Sequence, residues 1–122
     1  MVDLEIAGSL LTLRFLPPYT DTDERDYLDA LVRVGQHAEP FELLTVFGGG
    51  GKLSPAGERE QALWFKATRS HVSAHCRAAA IVRPGANRKM EETFQKLWPM
   101  PLVALEDETA ARAFLAAHSG VA

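Results

Sequence analysis

Three short runs, FELLTVF at 41–47, AAAIV at 78–82 and PLVAL at 101–105, constrain what this chain can fold into more than any other feature. Each is almost continuously apolar, as a strand must be when both its faces are covered, and strands of that kind belong to parallel sheets. Parallel neighbours cannot be joined by a tight turn and need a crossover, usually a helix. The segments between and after these runs have the matching helical period.

The segment TDTDERDYLDALVRVGQHA (20–38) opens on capping residues and carboxylates that suit the positive end of a helix dipole. Leu28, Leu31, Val32 and Gly35 then follow at i, i+3, i+4 and i+7 as its apolar stripe. Ser54-Pro55 starts a second helix, a capping hydroxyl followed by proline at the first helical position. That helix runs to about His75 with Ala62, Phe65, Val72 and Cys76 as its stripe, interrupted by Arg69. Asn87 caps a short third helix carrying Met90, Phe94, Leu97 and Trp98 and stopped by Pro99. Asp107 caps a fourth, with Ala111, Phe114, Leu115 and His118 on one side and Gly120 as its stop.

Ahead of these elements the pattern has a period of two: Leu4 and Ile6, then Leu11, Leu13 and Phe15, against Glu5, Thr12 and Arg14. Gly8-Ser9 between the two halves predicts a type II′ hairpin, and Pro17-Pro18, which have no amide hydrogen for a ladder, end the second strand. The order β-β-α-β-α-β-α-β-α predicts one α/β domain over residues 1–122. It has a single mixed β-sheet with an N-terminal β-hairpin and parallel core strands, and helices packed on the sheet.

Composition narrows the function classes. A net charge of −3, from 13 basic and 16 acidic residues without long blocks, provides no basic face for nucleic acid. No run approaches the roughly 20 apolar residues that cross a bilayer, so membrane insertion is not expected. The start MVDLEIAGSLL lacks the basic-then-apolar pattern of a leader, and the one cysteine, Cys76, has no intramolecular disulfide partner. A cytoplasmic location follows as the expectation.

The stretch FGGGGKLSPAGE (47–58) invites comparison with a phosphate loop and fails it. A Walker motif needs glycine five residues before the glycine-lysine pair and a hydroxyl residue after the lysine, and Val46 and Leu53 stand there. A dinucleotide fingerprint fails for want of a glycine at 53 or 54. The run therefore reads first as a flexible turn. The loops leaving the carboxyl ends of parallel strands nevertheless gather on one edge, where ligands usually bind. Lys52, Arg83, Arg88 and Lys89, with the amides of Gly49, Gly50 and Gly51 and the helix start at Ser54, form a candidate anion pocket there. The alternative is a set of solvated loop charges.

His71 and His75 share a helix face at i, i+4, but a zinc site needs three or four ligands and no nearby carboxylate completes a set. No metal and no cofactor is expected. Cys76 lies about 100° around a helix from His75, so the two are not paired as nucleophile and base, and the cysteine reads as a small buried hydrophobe. With no GxSxG elbow either, no catalytic residue is assigned and no enzymatic activity is expected. Leu63, Trp64 and Phe65 cannot all face one core; with Phe65 inside, Trp64 is left outside. Trp64 and Trp98 mark a candidate surface for a protein or lipid partner, although ordinary core packing is the simpler reading for Trp98.

The hairpin LEIAGSLLTLRFL, the helix DERDYLDALV, the strand ELLTVF, the run KATRSHVSAHCRAAAIV and the ending PLVALEDETAARAFLAAH together resemble the STAS-type fold of the SpoIIAA-like proteins. Those are small domains related to anti-sigma-factor antagonists and also compared with SEC14 lipid-binding domains. The resemblance covers most of the chain and rests on patterns rather than signature motifs. The antagonists carry a phosphorylatable serine in an Asp-Ser-Ser-Gly type turn after a central strand. This sequence has GGGGKLSPAG there, so Ser54, its only hydroxyl, is the phosphorylation candidate that the resemblance implies. The resemblance further implies a non-enzymatic regulatory or protein-interaction module. The alternative is a small-molecule, phosphate-containing or lipid ligand site at the edge around residues 48–52. A homodimer is compatible with either, since closed twofold assemblies are common.

Overall fold

In the computed structural model, which describes residues 1–119, nine elements follow the expected order. They are β1 (Val2–Ala7), β2 (Leu10–Phe15), α1 (Asp23–Gln36), β3 (Phe41–Phe47), α2 (Pro55–His75), β4 (Cys76–Val82), α3 (Arg88–Leu97), β5 (Leu102–Leu105) and α4 (Glu108–Ala117). The stop assigned to Gly120 lies outside the described residues. β1 and β2 form an antiparallel hairpin with Ala7 opposite Leu10. Gly8 sits at φ 60° while Ser9 has no positive φ, the sign pattern of a type II′ turn.

The five strands lie side by side in chain order, with β2 to β5 all parallel. That order decides where the helices go. Right-handed crossovers that always step in the same direction put their helices on the same face of the sheet. α1, α2 and α3 accordingly share one side with Leu11, Leu13, Phe41, Leu43, Ile81 and Leu102. α4, the last element among the described residues, covers the other side through Ala111 and Leu115 against Leu44, Val46, Ala78, Ala80 and Val82. β3 is buried on both faces, as its continuous apolar run requires. Its one charged residue, Glu42, is buried on the α4 side and paired, with Arg77 Nη2 at 2.6 Å and the Ser9 hydroxyl donating at 2.8 Å.

Several stripe assignments change. Val32 is 44% exposed and Val34 takes its place against the core, so the face of α1 is rotated from the expected one. In α2 the buried residues are Gly57, Trp64 and Val72; Ala62 is exposed and Phe65 only half-buried. The residue left outside in the Leu63-Trp64-Phe65 triplet is Leu63, not Trp64. Cys76 opens β4 rather than closing α2. Leu97 is exposed, and Trp98 is buried just past the end of α3.

Candidate functional site

α2 is positioned by α1 at several points from its start to past its middle, among them Arg25 with Glu60 and Tyr27 with Gln61. Near its start, Ser54 donates from its backbone amide to Glu24 Oε1 and from its hydroxyl to Glu24 Oε2 at 2.8 Å, while accepting from the Gly57 amide at 3.1 Å. At the turn from Trp64 to Thr68, Gly35 of α1 leaves room where the Trp64 indole and the Thr68 methyl occupy the space a Cβ would need. α2 therefore rests mainly on α1 and touches the sheet only lightly, at β4. What is left beneath it is a cavity of about 420 Å³, within the usual size of small-molecule pockets.

The cavity opens at the carboxyl ends of the parallel strands, the edge where the sequence placed a ligand site. Its floor is the sheet, at Leu43, Thr45, Phe47 and Ile81; Tyr27 and Leu31 of α1 form one side. Trp64 and Phe65 of α2 close it from above, and Phe94 and Trp98 from the α3 side. The four aromatic rings form one cluster, with centroids 5.1 Å apart for Phe65–Trp98, 6.1 Å for Trp64–Trp98 and 6.3 Å for Phe65–Phe94. Both indole N–H groups are buried without a partner among the described residues, and that of Trp64 abuts Gly35. Inside, Tyr27 donates its hydroxyl to Gln61 Oε1 at 2.6 Å, and burial pushes its ionisation above the ordinary tyrosine range.

The glycine run forms the rim. Gly50, at φ 84°, is the residue whose backbone requires glycine. Gly48 and Gly51 are small for another reason: a Cβ at either would meet the side chains of Pro17 or Tyr19. The Tyr19 hydroxyl donates to the Gly49 carbonyl at 3.0 Å, so the tyrosine is laid over the loop as the outer wall of the mouth.

The sequence-predicted site residues separate. Lys52 and Arg83 both line the cavity, arriving from the loops after β3 and β4. Gly51 lines it too, whereas Gly49 and Gly50 do not. Arg88 is 89% exposed and sits 4.0 Å from Glu92 of its own helix, so it leaves the proposed pocket; Lys89 is likewise outside. The α2 N-terminus is not an open anion seat, because the Glu24 carboxylate already fills it. Hydrogen bonds from the Ser54 amide and hydroxyl hold that carboxylate below its ordinary pKa. Ser54 is the α2 cap, facing a carboxylate, where a phosphate would meet like charge. Trp64 and Trp98, at 8% and 4% exposure, are cavity walls and not an outward contact surface.

The nucleophile and base candidates outside the cavity, His71, His75 and Cys76, are engaged. His71 bonds the His37 carbonyl at 2.7 Å and His75 the His71 carbonyl at 2.8 Å, their rings stacked at 4.2 Å. The Cys76 thiol is buried, donates to the Ala78 carbonyl at 3.2 Å, and is pushed up to about 12, chiefly by burial. The polar cavity residues that the sequence reasoning missed are Tyr19, Tyr27, Thr45, Glu58 and Gln61; none belongs to a spaced motif, and only the cluster of glycines at 48–51 hinted that a side chain crosses the loop.

The class defined by this geometry is an α/β protein with three crossover helices on one face and an apolar pocket at the strand-end edge. No protein-family model and no curated protein sequence matches the chain. Among solved structures it is similar to an uncharacterized protein of the DUF3478 family with a SpoIIAA-like fold from Shewanella loihica PV-4. The match has a TM-score of 0.60 at 13% identity and covers 94% of this chain and 92% of that one. The chain thus has the SpoIIAA-like fold. Among the described residues no helix is long and apolar enough to cross a membrane.

Proposed function

We propose that this protein is a non-enzymatic binding module that holds an apolar small molecule between α2 and the sheet. The observation that carries the reading is the 420 Å³ cavity walled by Trp64, Phe65, Phe94 and Trp98, since aromatic-lined hollows of this size favour apolar ligands. Binding without turnover fits the chemistry of the nucleophile and base candidates: the Cys76 thiol is buried far from ionisation, and His71 and His75 are tied to backbone carbonyls. A regulatory role rests on the same cavity. Occupancy presses on α2 and α3, whose outer surfaces carry exposed Leu63 and Leu97, and so changes what a partner meets.

Native mass spectrometry of gently purified protein, followed by denaturing analysis of whatever travels with it, tests the reading. An apolar small molecule at unit stoichiometry is the expected result. An empty protein that also takes up no apolar fluorescent probe, with or without the cavity-filling change Ile81→Trp, would rule it out.

A further inference from the structure

The geometry points to a single-headed anionic amphiphile as the ligand, its carboxylate or phosphate held by Lys52 and Arg83 at the rim and its apolar tail among the aromatic rings; this rests on the cavity reading above. Three observations converge on it.

The first is the fate of the cations. Of the 13 Lys and Arg side chains, Arg14, Arg25, Arg77, Arg88 and Arg112 have a carboxylate partner; Lys52 and Arg83 are among the eight that have none among the described residues, and of those eight only these two line the cavity. These two line the mouth of an apolar cavity in a chain whose net charge is −3. Glu58 is the one carboxylate on the same lining, so the rim stays positive by one charge. Arg83 is rooted firmly: its amide donates to the Leu105 carbonyl at 3.1 Å and its carbonyl accepts from Ala86 at 3.2 Å.

The second is that the competing anion seat is closed. The start of α2, which would otherwise attract a phosphate, is filled by Glu24. An anion at this edge is therefore left to the two side-chain cations.

The third concerns the interior. The hydroxyls of the walls are already engaged, Tyr27 with Gln61 and Thr45 with the Ala80 carbonyl at 3.3 Å. A second charged end would find no charged partner inside and at most the two unpartnered indole N–H groups of Trp64 and Trp98, so burying it is costly. One head at the rim and one apolar tail inside is the arrangement that avoids that cost. At the roughly 30 Å³ that a water takes in the liquid, the cavity of about 420 Å³ holds about 14 non-hydrogen atoms.

The test uses the full chain and four dodecyl probes below their micelle concentrations: dodecanoate, dodecyl phosphate, dodecanol and dodecylammonium. Trp64 and Trp98 are the chain's two tryptophans and both are in the wall, so intrinsic fluorescence reads occupancy directly. The two anions should bind about tenfold more tightly than dodecanol, dodecylammonium more weakly still, and added salt should narrow the gap. The ratio of dodecanoate to dodecyl phosphate tells which head group the rim prefers. In the variant Lys52→Met with Arg83→Met, two exposed positions, the anion preference should vanish while dodecanol affinity is kept. Equal binding of dodecanol and the anions, or a preference that survives the double variant, would overturn the head-group assignment and leave the cavity reading standing. Failure of all four probes to change the fluorescence would overturn both.

Discussion

Replacing Gly35 by alanine tests whether α2 is held off the sheet by its contact with α1. A Cβ built there lies 2.8 Å from the Thr68 methyl and 2.8 Å from Trp64 Nε1, well inside ordinary contact. Two effects oppose each other. Alanine in place of glycine within a helix gains roughly 1 kcal/mol, while forcing a methyl into filled space typically costs about 1–3 kcal/mol. The neighbours have little freedom to yield. The Thr68 hydroxyl is fastened to the Trp64 carbonyl at 2.7 Å, so the methyl turns away only by breaking that bond. The Trp64 ring is packed against Phe65 and Trp98 at 5.1 and 6.1 Å and retreats only into the cavity. Overpacking should win, and Gly35→Ala should lose about 1 kcal/mol in urea unfolding and narrow the cavity. The check is a mutant cycle with Thr68→Ser, which keeps the hydroxyl and removes the methyl, combined with Trp64→Phe. In that background the same substitution should become stabilising by up to about 1 kcal/mol. Stabilisation of the otherwise unmodified chain, or a cost that persists in the relieved background, would refute the reasoning.

The ion pair between β2 and α4 should be visible in the acid limb of stability. Hydrogen bonding to Arg14, at 2.5 Å, is the main cause that holds Glu108 at about 2, with Arg112 at 3.0 Å helping. The folded pKa is below the unfolded one, so the contribution is complete above the ordinary carboxylate range and disappears as pH falls toward about 2. Glu108→Gln should flatten that limb and cost about 1 kcal/mol at neutral pH, the linkage value being cut by solvent screening of a partly exposed pair; an unchanged limb contradicts the pairing. Cys76 provides a third check. Its buried thiol, pushed up to about 12, should resist iodoacetamide in the native protein at mildly alkaline pH and react readily in urea, and equal rates in the two states would contradict its burial.

The elements were legible because their signals are local. The continuous apolar run of β3 announces two covered faces, Gly8-Ser9 announces the hairpin, and Ser54, Asn87 and Asp107 each cap the helix they precede. The strand-end edge was legible too, since parallel topology places it there whatever the side chains do. The site within that edge was legible only in part. Lys52 and Arg83 line the cavity together, but Arg88, only five residues beyond Arg83, does not, because the turn at Gly85 sends it onto the outside of α3.

By itself, then, the sequence determined the order of the elements, the mixed sheet and the direction its strand ends point, because period, caps and turn chemistry act over a few neighbouring residues. Tertiary structure alone decided that Trp64 turns inward and Leu63 outward, and that Glu24 fills the start of α2. It also decided that Tyr19 lies over the glycines and that a hollow remains beneath α2. Each of these depends on how closely one helix or loop can approach another from elsewhere in the chain. Gly35, Gly48 and Gly51 set those approaches by the side chains they lack, and a missing side chain leaves no periodic trace in the sequence.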